Sequence, residues 1–266
     1  MQERQIYIGS ETGKLAGMLH QPVPERSRTR AVVVCPPFGD ERKSAWRVLA
    51  DMSRALARNG YPVLRFDYHG CGESPGAFVD ATVASRIADI ASAGECVFSE
   101  TGAEVLTVVG LRFGATLALE AEPRLPGADA AILIEPIVDG EKYFERMVQR
   151  KKLRRMMTGS GDAEGEDARD ILDLDGYPVR RETLDALQNL NLHLPDRADL
   201  KRISLIQVSF NQQLRQDTET ALAELRGSGV DTTLRTIVMK PFWSRVDIVD
   251  SAELEQAVVS EIEGPS

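Results

Sequence analysis

Six short apolar runs, each separated from the next by a stretch with helical periodicity or a long polar segment, constrain what this chain can fold into. The runs are Ala31–Cys35, Tyr61–Phe66, Val105–Val109, Ala130–Ile134, Ile203–Val208 and Thr232–Val238. The first is apolar throughout, as in a strand covered on both faces. Helical periodicity fills Ala45–Arg58, which ends at Asn59-Gly60, and also Thr82–Phe98, Gly114–Glu120, Thr218–Arg226 and Ala252–Ile262. Strands alternating with helices of this length imply a parallel sheet of right-handed βαβ units with helices on both faces.

Two departures from the alternation are expected. Gln5–Gly9 and Leu15–Leu19 flank Glu11-Thr12-Gly13 and read as an opening antiparallel hairpin. After Pro136 comes a helical stretch, Gly140–Met157, dense in charge, then the polar, glycine-rich Gly159–Asp170 and a short helix at Thr183–Asn189. This is an insertion at about 139–195, expected to form a lid on a single domain spanning 1–266.

Composition excludes several classes. The chain has 42% apolar and 27% charged residues, as ordinary globular proteins do. No apolar run approaches the roughly 18 residues of a membrane span, and the amino terminus lacks the order of a signal peptide, so a cytoplasmic protein is expected. Cys35, Cys71 and Cys96 are an odd number at unrelated spacings, which argues against a disulfide framework and against a zinc site, and nothing points to a cofactor. A net charge of −9 argues against nucleic acid as a partner.

The chemistry-bearing motifs sit where strands end. Asp67-Tyr68-His69-Gly70-Cys71-Gly72-Glu73-Ser74 follows a strand, and its glycines and Ser74 suit a tight turn with internal hydrogen bonds. His69 and Cys71 could form a thiol–imidazole pair, although neighbours in a turn need not face each other. Pro36-Pro37-Phe38-Gly39 follows the first of the six runs, and the backbone N–H of Phe38 or Gly39 is one candidate oxyanion donor. The second is the N–H of Phe113, at a helix N-terminus.

Gly110-Leu111-Arg112-Phe113-Gly114 has the strand, sharp turn and helix of a nucleophile elbow, Gly-x-Ser-x-Gly, with arginine at the centre. A guanidinium remains protonated and has no lone pair to offer a carbonyl. Arg112 instead suits either an anionic ligand or an internal ion pair with Asp40, Glu41, Asp67 or Glu135, because an unpaired buried charge is costly. The loop after Val208, where an acid is expected, carries Asn211-Gln212-Gln213, and Asp217 is the nearest carboxylate. Val238–Trp243, where a general-base histidine is expected, contains none. Phe242 and Trp243 either wall the pocket or fill the core. Lys142, Arg146, Arg150, Lys151, Lys152, Arg154 and Arg155 crowd one helix, either as a solvated face or as a patch for an anionic partner or a membrane surface.

Taken together, Pro36-Pro37-Phe38, Asp67–Ser74, Gly110–Ala115, Glu135–Gly140 and Leu174–Tyr177 resemble the α/β-hydrolase-fold proteins called exosortase A system-associated hydrolase 2, over about Ala31–Trp243. The resemblance implies an α/β-hydrolase fold, with Arg112 as a family trait, and a setting in bacterial exopolysaccharide or envelope biosynthesis. It implies no substrate, since reaction type does not follow from fold. The expected function is binding of an acyl, carboxylate or other anionic small molecule, or an accessory role with a biosynthetic protein partner docking on the basic helix near Arg146–Arg155. The alternative is an ester, thioester or amide hydrolase or a lyase acting without serine, through oriented water or Cys71.

Overall fold

The computed structural model describes residues 1–158, 170–174, 176–245 and 247–264. Its central sheet has eight strands: β1 (Gln2–Ser10), β2 (Gly13–Gln21), β3 (Arg30–Cys35), β4 (Val63–Phe66), β5 (Val105–Leu111), β6 (Ala128–Ile134), β9 (Arg202–Ser209) and β10 (Asp231–Val238). Their spatial order is β1-β2-β4-β3-β5-β6-β9-β10. The β1–β2 and β2–β4 pairs are antiparallel and every other pair is parallel. This is an α/β-hydrolase fold.

The alternation of side chains along each strand divides the core between two faces. Val32 and Val34 point to one face and pack with Val48, Leu49 and Met52 of α1 (Asp40–Arg58) and with Leu254, Val258 and Ile262 of α7 (Ala252–Glu263). Ala31, Val33 and Cys35 point to the other. There they meet Ile90 and Val97 of α2 (Val83–Thr101), Leu117 of α3 (Phe113–Ala121) and Leu225 of α6 (Gln216–Gly227). α1 starts at Asp40, five residues before its apolar periodicity begins, because its first turn is polar and sends Glu41 to the site rather than an apolar side chain to the core.

The insertion joins β6 to β9, which pair directly, so it stands outside an uninterrupted sheet. It contains α4 (Gly140–Thr158), the hairpin β7 (Ile171–Leu174) with β8 (Tyr177–Arg180), and α5 (Arg181–Gln188). A backbone bridge between Asp139 and Asn191 ties its two ends together. The hairpin was not legible in the sequence: its strands are four residues each, and one contains Pro178. Residues 159–169, most of the glycine-rich stretch expected to form part of the lid, lie outside the described residues.

His20 of β2 is fully buried at the antiparallel edge. Its Nε2 accepts from Arg65 Nε at 3.4 Å, and its Nδ1 lies 3.2 Å from Glu3 Oε1. A protonated ring could not accept from a guanidinium. Burial and the Arg65 charge outweigh Glu3 and push the imidazole down to about 4 from an ordinary 6.5. The folded state therefore binds fewer protons than the unfolded one between these values, and this stability, fully present above pH 6.5, is lost as pH falls toward 4. Denaturant unfolding should show His20→Gln losing about 2–3 kcal/mol less than the parent between pH 7.5 and pH 4.5. Parallel losses in both proteins would contradict the assignment.

Candidate functional site

The site lies at the carboxyl edge of β3, β5, β6 and β9, where an open α/β sheet presents its ligands. The turn from β5 into α3 is built by two glycines. A Cβ on Gly110 would fall 2.3 Å from the Cα of Ala115, and one on Gly114 would fall 2.4 Å from the carbonyl oxygens of Cys35 and Pro36. Arg112 stands between them at φ 55° and ψ −124°, a conformation that side chains rarely adopt and that costs about 1–3 kcal/mol. Its N–H donates to the Ile134 carbonyl at 2.9 Å, so the elbow is tied to β6.

Arg112 forms an internal pair. Its Nε lies 3.4 Å from both Glu41 carboxylate oxygens, and its Nη1 lies 3.4 Å from the Glu135 carbonyl and 3.9 Å from Glu135 Oε2. Two of the four candidate acids thus converge on it, from the first turn of α1 and the end of β6. The others serve elsewhere: Asp67 takes Arg42 at 2.8 Å and the Glu73 N–H at 3.0 Å, and Asp40 is exposed. The guanidinium carbon also sits 5.1 Å from the Trp243 ring centroid and 5.5 Å from that of Tyr143. Burial alone would lower the Arg112 pKa, but Glu41, Tyr143 and Glu135 outweigh it and leave it raised.

Glu135 is more tightly held by a second cation that sequence reasoning missed. Arg215 Nη2 donates to its two oxygens at 2.7 and 2.6 Å, and the Val208 N–H donates to Oε1 at 2.6 Å. Burial pushes this carboxyl up, while Arg215, Val208 and Arg112 pull against it. Arg215 continues to Asp217 at 3.2 Å. The charges therefore alternate along Glu41, Arg112, Glu135, Arg215 and Asp217. The only sequence signal for Arg215 was its place after β9, in the loop that carries no acid.

The other candidate residues fall into two groups. Phe38 and Phe113 are buried, 6.1 Å apart edge to face, with Gly39 at φ 57° opening α1. The Tyr177 ring lies 3.7 Å from where a Gly39 Cβ would stand, so the β7–β8 hairpin covers this turn. Phe38, Gly39, Glu41, Arg150 and Trp243 line a small cavity of about 90 Å³. Trp243 both packs on Phe242 and walls this space.

His69 and Cys71 are not brought together as a pair. The thiol accepts from Arg86 Nη1 at 3.9 Å, while the His69 ring fills the space beside Gly76. Arg86 is itself buried among the rings of Phe38, Tyr68 and Phe78 at 5.1–5.3 Å, so it supports the turn that carries Phe38. Ser74 closes its own loop, donating to the Asp67 carbonyl at 2.6 Å and accepting from the Ala16 N–H at 2.9 Å.

Above Arg112 runs α4. Lys142, Tyr143, Arg146, Gln149, Arg150 and Leu153 fall on one stripe of this helix, at spacings of three and four. A cleft of about 690 Å³ on one side is floored by Arg112, Ile137 and Tyr143 and edged by Lys142, Arg146, Asn191 and Thr220. A second space of about 450 Å³ shares Arg112, Tyr143 and Arg146 and extends to Arg150 and Leu153. Lys142 pairs with Asp139 at 2.6 Å. Among the described residues no carboxylate pairs with Arg146 or Arg150. No histidine lines any of these spaces among the described residues, and no group of acids, histidines and cysteines there could hold a metal.

Removing one partner from a buried ion pair leaves its acid uncompensated. Arg112→Met should therefore lower unfolding stability by about 3 kcal/mol, and adding Glu41→Gln should recover part of that loss. Additive losses in this cycle would show that the pair is not coupled.

A model of the family described as serine aminopeptidase, S33, matches residues 27–166, from β3 through the elbow into the insertion. No curated protein matches. Among solved structures, the chain is similar to XC6422 from Xanthomonas campestris, a serine hydrolase without a lid: identity is 19%, TM-score 0.61, covering 97% of this chain and 92% of that one. It is also similar to Est1E from Butyrivibrio proteoclasticus, solved with ferulic acid bound (16%, TM-score 0.64, 97% of each chain). The esterase domain of a Rhodothermus marinus protein is a third (17%, TM-score 0.61, 97% of each chain). At these identities the structures show a shared fold, and the family match spans more than half of the chain. By the sheet, the elbow and that match, this protein belongs to the serine aminopeptidase S33 family of α/β hydrolases.

Proposed function

We propose that the protein binds an anionic small molecule in the cleft beneath α4 and does not perform Ser-His-Asp chemistry. The observation that carries this reading is the state of Arg112: it occupies the nucleophile's place and is neutralised by Glu41 and Glu135. The two other positions agree. Asn211, Gln212 and Gln213 follow β9, Asp217 is engaged by Arg215, and no histidine follows β10.

With Arg112 neutralised, the ligand's charge falls to α4. Arg146 edges both larger spaces and has no carboxylate partner among the described residues, while Tyr143, Ile137 and Leu153 offer apolar surface to an acyl or alkyl portion. The resemblance to exosortase-associated proteins supports reading such a ligand, and a biosynthetic protein partner, as part of bacterial exopolysaccharide or envelope synthesis. Phe38, Gly39, Phe113 and Trp243 then act as the wall of a retained but repurposed scaffold.

A second reading rests on Glu41. Its carboxylate lines the 90 Å³ cavity beside Phe38 and Gly39, which is large enough to hold ordered water. A water there, oriented by Glu41 and facing backbone N–H donors, would suit a hydrolase without serine, and the esterase neighbours are compatible with that chemistry.

A fluorophosphonate probe separates these readings from an ordinary serine hydrolase. No labelling is expected, and saturable modification of any serine would overturn both. Titration with octanoate and with inorganic phosphate should show saturable binding that Arg146→Ala weakens by about tenfold or more, the loss of one charge-assisted hydrogen bond. Binding insensitive to Arg146 but abolished by Arg112→Ala would mean that the elbow cation, not α4, holds the anion. Ester turnover that disappears in Glu41→Gln would favour the second reading.

A further inference from the structure

We infer that the end of the molecule carrying α4 docks on an anionic bilayer surface. Two independent distributions coincide there. The first is charge: α4 holds seven Lys and Arg residues against two Glu, in a chain whose net charge is −9. The rest of the protein is thus strongly acidic and would be repelled by the surface that attracts this helix, which fixes one orientation.

The second is apolar exposure. Ten large apolar side chains are exposed among the described residues, and six of them belong to the insertion or to the carboxyl ends of the last two strands and the segments after them. Leu153 and Met156 of α4 are 59% and 78% exposed, Phe210 after β9 is 68% exposed and Ile248 beyond β10 is 75% exposed. Ile171 and Val238 complete the set. Scattered exposed apolar residues are ordinary, but here six of ten fall on the insertion and on the segments that leave the carboxyl ends of β9 and β10.

Chemistry selects the occupant. A dense run of cations is drawn to anionic headgroups, and exposed apolar side chains on the elements beside it can enter the headgroup boundary. The anchors lie on separate elements, and a bilayer accepts anchors spread over a broad end. No helix among the described residues is long and apolar enough to cross a membrane, so the contact is peripheral. The stripe that lines the cleft, Arg146 to Leu153, runs on to Met156, so docking would bring the mouth of the cleft to the lipid surface.

Co-sedimentation with vesicles of phosphatidylcholine alone and of phosphatidylcholine with phosphatidylglycerol tests this directly. The protein should bind the anionic vesicles about tenfold or more tightly than the neutral ones, and raising the salt concentration should weaken binding. Leu153→Glu with Met156→Glu should reduce partitioning about tenfold with the thermal midpoint unchanged. Phe210→Ser with Ile248→Ser should weaken it in the same direction. No binding to anionic vesicles at low salt, equal binding to both compositions, or undiminished binding of both double variants would overturn the inference. Retention on polyglutamate without retention on the anionic vesicles would assign the surface to an acidic protein instead. Vesicle binding is read separately from octanoate or phosphate binding, so either can fail alone.

Discussion

The charge chain from Glu41 through Arg112, Glu135 and Arg215 to Asp217 is the constraint on which the site depends. It joins the first turn of α1, the elbow after β5, the end of β6 and the start of α6. Its inner members, Glu41, Arg112 and Glu135, are largely buried, and such charges add little net stability when complete but are costly when interrupted. Each of these elements therefore has to arrive in register for any of them to be neutral. The tight contacts are Arg215 on Glu135 at 2.6 and 2.7 Å, whereas Arg112 is held at 3.4 Å by Glu41. Glu135 is the fixed point, and Arg112 is the looser member.

The backbone follows the same logic. Arg112 and Glu135 are the only non-glycine residues at positive φ among the described residues, at 55° and 49°. They stand at the ends of adjacent strands and face each other through their side chains. In a serine hydrolase an elbow is strained to lift a nucleophile. Here the same turn lifts a cation into a pair of carboxylates, between the faces of Trp243 and Tyr143. The aromatic layer extends from there, with Phe113 against Tyr143, Phe144 and Phe38, Phe38 against Phe78, and Phe78 against Tyr177 of the hairpin. Arg86 stacks beneath Phe38 and Phe78. The insertion is thus fastened to the sheet through rings that touch the elbow, and α4 lies over Arg112 as a consequence.

Much of this was legible in the sequence because it is written in local rules. Continuous or alternating apolar runs mark strands, and the spacing Gly110 to Gly114 marks a turn whose neighbours leave no room for a Cβ. The pool of acids for Arg112 was equally readable, since strand ends and the loops beyond them converge on one edge of a parallel sheet. Which acids pair was not readable: Glu41 and Asp40 are adjacent in sequence, and only the start of α1 turns one inward and the other to solvent. Arg215 was invisible for a related reason, lying 80 residues from Glu135, with no periodicity to connect them. The β7–β8 hairpin went unseen because four-residue strands carry too few positions for an alternation to register. His69 and Cys71 show the reverse case, where proximity in sequence within a turn points the ring and the thiol at different neighbours.

On the proposed reading the charge of Arg112 is consumed inside the protein, and α4 supplies the charge a ligand meets. A high-resolution crystal structure with phosphate or octanoate bound would test it most directly. The anion is expected within hydrogen-bonding distance of Arg146, with Arg112 still against Glu41 and Glu135. An anion seated on Arg112, with its guanidinium drawn away from Glu41, would contradict it.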